Sequence, residues 1–170
     1  MDAERMVFED ESFDTACISA SLHHMREPGA VLQEMKRVLR PDGRFIVVEM
    51  YSDAETEPEL TSVLLHQWAA DVDSAIGRFH NRTMDRQEIE GCFASIEARN
   101  VETHVVRDVD SDPMDVGTLE QVEKVVAIVS ERIPELPDGE ALRKRAGELL
   151  VRIRETGVLG EPVIMLTGMK

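Results

Sequence analysis

Val31–Met50, VLQEMKRVLRPDGRFIVVEM, is the stretch that decides the fold. Val31, Leu32, Met35, Val38 and Leu39 recur at helical spacing, so the first half reads as a helix with one apolar face. Glu27-Pro28-Gly29 just upstream suits its start, because proline is tolerated in a first helical turn. Arg37 and Arg40 fall near its end, where cations suit the helix dipole. Pro41-Asp42-Gly43 then predicts the helix stop and a turn. Arg44–Met50, centred on Phe45-Ile46-Val47-Val48, predicts a buried strand. Working outward, Phe13–Ser19 is short and mostly small or apolar, which predicts another buried strand. Strand, helix and strand on short turns make a βαβ unit, with the two strands as parallel neighbours under a right-handed crossover.

Further along, Leu60, Leu64, Trp68, Val72 and Ile76 recur every fourth residue and predict an amphipathic helix from Glu57 to about Ile76. Asn81-Arg82-Thr83 offers a cap for a helix from Met84 to about Arg99 that buries Ile89, Phe93 and Ile96. Val101–Val106 reads as a strand. After the acidic loop 108–115, a helix carries Leu119, Val122, Val126, Val129 and Ile133 and is expected to stop at Pro134 and Pro137. Another helix, about Glu140–Glu155, carries Leu142, Ala146, Leu149, Leu150 and Ile153. Pro162–Thr167 is the last strand. A length of 170 residues suits a single domain, read as residues 1–50, 51–100 and 101–170 in succession.

A formal charge of −15, from 34 acidic and 19 basic side chains, disfavours nucleic acid and anionic membrane partners. No run approaches the roughly 18 apolar residues that a bilayer span needs, and the first residues do not read as a signal peptide. Cys17 and Cys92 have no zinc-site or disulfide spacing, which fits a reducing, cytoplasmic compartment.

Four motifs stand in order over Asp2–Glu49. Asp2-Ala3-Glu4-Arg5-Met6-Val7-Phe8 is similar to the D-A-x-x-L-P-F segment of small-molecule S-adenosylmethionine (SAM) dependent methyltransferases. Ser12-Phe13-Asp14 resembles the S-F-D that enters their fourth strand, and Ser21-Leu22-His23-His24 the L-H-H that ends it. Glu34–Arg44 resembles E-x-x-R-V-L-K-P-G-G-x before their fifth strand. Glu161–Lys170 resembles their closing strand, which inserts antiparallel. The resemblance implies a three-layer α/β Rossmann-like fold with a mixed sheet ordered 4-5-7-6. It is carried here by the C-terminal part of the domain.

In that family a glycine-rich loop, Gly-x-Gly-x-Gly, lets the backbone approach the cofactor closely. The first glycine here is Gly29, so the chain is read as truncated, without the first strands and that loop. Gly157-Val158-Leu159-Gly160 reads as a helix terminator rather than a substitute. SAM is the implied cofactor, and binding by this chain alone is not expected. The strand at Thr15–Ala20 is then expected at a sheet edge, covered by a separately encoded N-terminal half, by a second copy in a homodimer or by a rearranged helix.

By the same resemblance Asp2 and Ala3 hold adenine, or else fray with the terminus. Ser19 and Ser21 lie at the carboxyl end of a strand, where cofactors bind in open α/β sheets, or simply pack there. His23 and His24 follow at the mouth of the cleft. One of them acts as a base toward the acceptor, or packs and caps the next turn. Glu49 and Tyr51 end the next strand toward a small-molecule acceptor, with His66, Trp68 and His80 as lid residues; a core role is the alternative for Trp68. No metal site is expected, since His66, His80 and His104 come from three elements without paired ligand spacing. Two functions compete: methyl transfer to a small molecule once the cofactor half is supplied, and a non-catalytic oligomerisation or binding module.

Overall fold

The computed structural model describes residues 2–133 and 137–170. The elements run β1 (Phe13–Ser19), a 3₁₀ turn (Leu22–His24), α1 (Pro28–Val38), β2 (Leu39–Met50), α2 (Glu57–Ala75), α3 (Arg86–Ala94), β3 (Arg99–Val106), α4 (Val116–Ser130), α5 (Pro137–Thr156) and β4 (Val163–Met169). The expected helix stop at Pro134 lies outside the described residues. The chain divides into two compact units: Met1–Tyr51 with Met84–Val106 and Val163–Lys170, and Ser52–Thr83 with Arg107–Pro162.

The first unit is built on one mixed sheet in the order β1-β2-β4-β3, which is the expected 4-5-7-6. β1 and β2 are parallel, while β4 runs antiparallel to both β2 and β3. β2 alternates strictly, with Phe45, Val47 and Glu49 buried and Ile46, Val48 and Met50 half-buried. That period-2 pattern puts Phe45 and Val47 in one core with Ile164 and Leu166 of β4, Leu32 of α1 and Phe93 of α3. Gly168 of β4 faces α3's exit so closely that an added Cβ would stand 2.9 Å from the Ala98 Cβ.

Three local expectations are corrected. The first helix ends at Val38 rather than at Pro41. Proline disfavours helical geometry in the residue before it, and Leu39 is already extended and fully buried. Pro41-Asp42-Gly43 therefore sits inside β2 as an irregularity, between the pairs Phe13↔Leu39 and Thr15↔Arg44, with Asp42 at φ 62. β1 is not a buried strand: its residues are exposed or half-buried, because β2 is its single strand neighbour among the described residues. α3 begins at Arg86 rather than Met84, since Asp85 and Glu88 form a capping box. It ends at Ala94, Glu97 at positive φ turns the chain toward β3, and Asn100 at positive φ lies in the irregular start of that strand, between Arg99 and Glu102.

The second unit is helical. α2, α4 and α5 meet around Trp68, Val72, Val126, Ile133, Leu149 and Ile153. Thr56 and Glu59 close a capping box at the start of α2, and the Asp115 side chain caps α4. Gly157 follows α5 in the left-handed region at φ 76, where a Cβ would collide with the Pro113 carbonyl. It terminates the helix, as its sequence context suggests.

Candidate functional site

In the first unit the chain leaves β1 at Ser19, passes Ala20 at φ 44 and enters the 3₁₀ turn. Ser19 and Ala20 are exposed, and the Ser21 hydroxyl donates to the Ser19 carbonyl at 2.7 Å. Glu49, from the end of β2, reaches under this turn. Its Oε2 accepts from the backbone N–H of Ser21 at 3.0 Å and of Leu22 at 2.7 Å. Its Oε1 lies 2.9 Å from His23 Nδ1 and also accepts from the Met50 N–H at 3.2 Å. The pair is buried, with His23 2% and Glu49 1% exposed. Burial pushes the Glu49 carboxyl up, but the bonds from His23, Leu22 and Ser21 outweigh it and hold it below the usual carboxylate range. An ionised carboxylate only accepts, so His23 carries a proton on Nδ1.

His24 is exposed, and its ring centroid lies 4.2 Å from that of His23. Sequence reasoning gave the two histidines one interchangeable role, whereas the structure separates them by burial and by the Glu49 bond. Glu49, expected toward the acceptor, directs its oxygens to the β1–3₁₀ turn. Tyr51 is 2% exposed, within the core of the sheet unit.

Asp2 lies in a tight turn bridged to Arg5, with its Oδ1 accepting the Glu4 N–H at 2.9 Å. Ala3 is half-buried against the core. This segment is tied to α1 by Glu34 and Arg37, which the sequence motif contains but does not assign to this task. Glu34 Oε2 accepts the Met6 N–H at 2.9 Å, and Arg37 donates to the carbonyls of Met6 and Phe8 and to Asp10. Arg37 also binds Glu34, which together with the Met6 N–H holds the Glu34 carboxyl down at about 2. The Glu-x-x-Arg spacing was the signal, since residues three apart on a helix are neighbours.

In the second unit Trp68 is fully buried, and its indole N–H donates to the Leu142 carbonyl at 2.9 Å. His66 and His80 come together, Nε2 to Nε2 at 3.1 Å. His80 Nδ1 lies 2.9 Å from Asp73 Oδ2, and His66 Nδ1 lies 3.3 Å from Glu161 Oε1. His104 stands elsewhere, on β3, 3.5 Å from the Glu102 carboxylate.

Comparison with known proteins agrees with the fold and with the motif-bearing segment. Residues 1–47 match the family described as "Methyltransferase domain". A demethylmenaquinone methyltransferase of Mycobacterium sp. (strain KMS) is 50% identical over 48 residues, which are 28% of this chain and 21% of that protein. The uncharacterised methyltransferase YcgJ of Bacillus subtilis is 36% identical over 64 residues, 38% of this chain and 24% of its own. These matches span about a quarter of the relatives' length. The solved structure of YcgJ superposes with a TM-score of 0.51 at 21% identity, over 99% of this chain and 68% of that one. A SAM-dependent methyltransferase structure from Thermotoga maritima gives a TM-score of 0.56 at 15% identity, over 100% of this chain and 62% of that one.

Proposed function

We propose that this chain, whose residues 1–47 match the methyltransferase domain family and whose sheet superposes on that fold, forms the acceptor side of a SAM-dependent methyltransferase acting on a small molecule. The observation that carries the reading is the Glu49–His23 latch at the carboxyl end of β1, which fixes the turn bearing His24. Ligands of open α/β sheets bind at this end of the strands.

The residues present fit the cofactor as one wall. Ser19 and Ala20 are small and exposed there, so a large ligand can approach closely. Asp2 is an exposed carboxylate whose segment is anchored by Glu34 and Arg37. A close-approaching glycine loop is not among residues 1–28, so these residues supply one wall of the pocket and not the loop that faces it. When bound, SAM supplies an electrophilic methyl carbon. His24, exposed beside the latch, takes the proton that an acceptor O–H, N–H or activated C–H gives up. His23 and Glu49 act through it: with its Nδ1 proton held by Glu49, His23 keeps one orientation and supports the His24 ring. Much of the rate then rests on positioning. The relatives named for demethylmenaquinone make a quinone-type ring the first acceptor to test.

The test is calorimetric titration with S-adenosylhomocysteine, followed by methyl-transfer assays with and without a methyltransferase N-terminal half. Turnover in the reconstituted sample, with His24→Ala lowering kcat while leaving S-adenosylhomocysteine affinity intact, supports the reading. Absence of both binding and transfer after reconstitution overturns it. That outcome favours the alternative of a non-catalytic binding module, for which the exposed edge strand β1 is the supporting observation.

A further inference from the structure

We propose that His66 and His80 form a binding site for one divalent transition-metal ion, of the zinc type, within the helical unit. The inference does not depend on the methyl-transfer reading.

The fold creates the site. His66 and Asp73 lie seven residues, two helical turns, apart on α2, so they share one face. After α2 the chain reverses through Gly77 at φ 79, the Arg78 N–H returns to the Asp73 carbonyl at 2.9 Å, and Ser74 donates to the His80 carbonyl at 3.3 Å. His80 is thereby folded back onto the helix that carries His66. Glu161, ahead of β4, supplies the outer partner of His66.

The proton inventory then points to a cation. Asp73, when ionised, can only accept, so His80 Nδ1 bears a proton at 2.9 Å, and the Glu161 carboxylate 3.3 Å from His66 Nδ1 favours the same tautomer there. In the neutral imidazoles the Nε2 lone pairs then point into the same space from 3.1 Å apart. That contact is held either by a proton that one nitrogen donates to the other or by a cation that both ligate. Zinc–nitrogen bonds of about 2.0–2.1 Å at a tetrahedral angle bring two ligand nitrogens to about 3.3 Å of each other. That is within a few tenths of an ångström of the separation present before any metal enters. A carboxylate behind each histidine is the arrangement that fixes ring orientation and raises ligand basicity at metal sites. Imidazole ligands select zinc, cobalt, nickel or copper over magnesium or calcium. The rings stand nearly perpendicular, at 89°, and with His66 18% and His80 9% exposed, water can complete the coordination. Arg132 and, at 4.0 Å, Arg78 flank Asp73, so that carboxylate is partly neutralised and a divalent ion is not over-compensated.

The test uses the full, tag-free chain stripped with a chelator. Calorimetry with Zn²⁺ and absorption spectroscopy with Co²⁺ are expected to show one equivalent bound and a raised melting temperature. His66→Ala and His80→Ala should each abolish this uptake. Glu161→Gln should weaken it by roughly 10–100-fold, and His104→Ala should leave it unchanged. Should a histidine variant unfold, nitrogen-15 NMR of the wild-type imidazoles decides: added Zn²⁺ must shift Nε2 of both His66 and His80. No uptake by the wild type, uptake that survives both histidine variants, or unshifted Nε2 signals overturns the proposal, leaving a proton as the shared cation.

Discussion

Replacing Glu49 by alanine removes the acceptor of four hydrogen bonds at once. Ser21 and Met50 are half-buried, so water can recover part of the loss at their amides. The Leu22 N–H and His23 Nδ1 are in fully buried residues, and each orphaned buried donor costs roughly 1–3 kcal/mol. Breaking a buried pair by deleting one partner typically costs about 3–5 kcal/mol, which is a large fraction of a domain's net stability. Glu49→Ala is therefore expected to lose about 3–5 kcal/mol of stability, measured as the shift in urea midpoint at constant slope. Glu49→Gln keeps one carbonyl acceptor for the turn while its amide forces His23 to the other tautomer, so it should cost less. The latch also sets an acid limb. The carboxyl is depressed in the folded state, so its stabilisation is fully present above the ordinary glutamate value of about 4.3 and is lost as pH falls through the folded value. The glutamine variant should lose that part of the acid dependence. Amide hydrogen exchange gives a local readout, with the Leu22 amide protected in the wild type and fast in Glu49→Ala. An alanine variant within about 0.5 kcal/mol of wild type, the scatter of ordinary surface changes, with Leu22 still protected, would refute the latch.

Other consequences follow from packing. Trp68→Phe leaves the Leu142 carbonyl without its indole donor and opens a small void, so it should cost about 2–4 kcal/mol in circular-dichroism melts of the helical unit. Gly168→Ala places a methyl 2.9 Å from the Ala98 Cβ and 3.4 Å from the Phe93 ring; it should destabilise the sheet unit by about 1–3 kcal/mol, again read from urea midpoints. Arg37→Ala unties Met6 and Phe8 from α1. Faster exchange of the Met6 amide and weaker S-adenosylhomocysteine binding by the reconstituted sample are the expected results; unchanged binding there would show that Asp2–Phe8 does not contact the cofactor.

Much of the architecture was legible in the chain because it rests on local patterning. The period-2 run Phe45–Glu49 and the 3.6-period run Val31–Val38 specify a strand and a helix whatever surrounds them, and their order specifies the parallel pair. The boundaries that shifted were those set by competition. The Asp85–Glu88 box outbids Thr83 as a helix start, and burial of Leu39 takes the end of α1 into β2.

The sites were less legible. Sequence alone places His23 and His24 side by side and cannot say which is buried, because that depends on Glu49 arriving from a strand 26 residues away. It sees His66 and His80 fourteen residues apart on either side of the end of α2, and only the reversal at Gly77 brings them within 3.1 Å. Residue type and periodicity are carried by neighbours in the chain, so they determined the elements. Protonation, burial and ligand geometry arise between segments that meet only on folding, so the tertiary structure alone decided them.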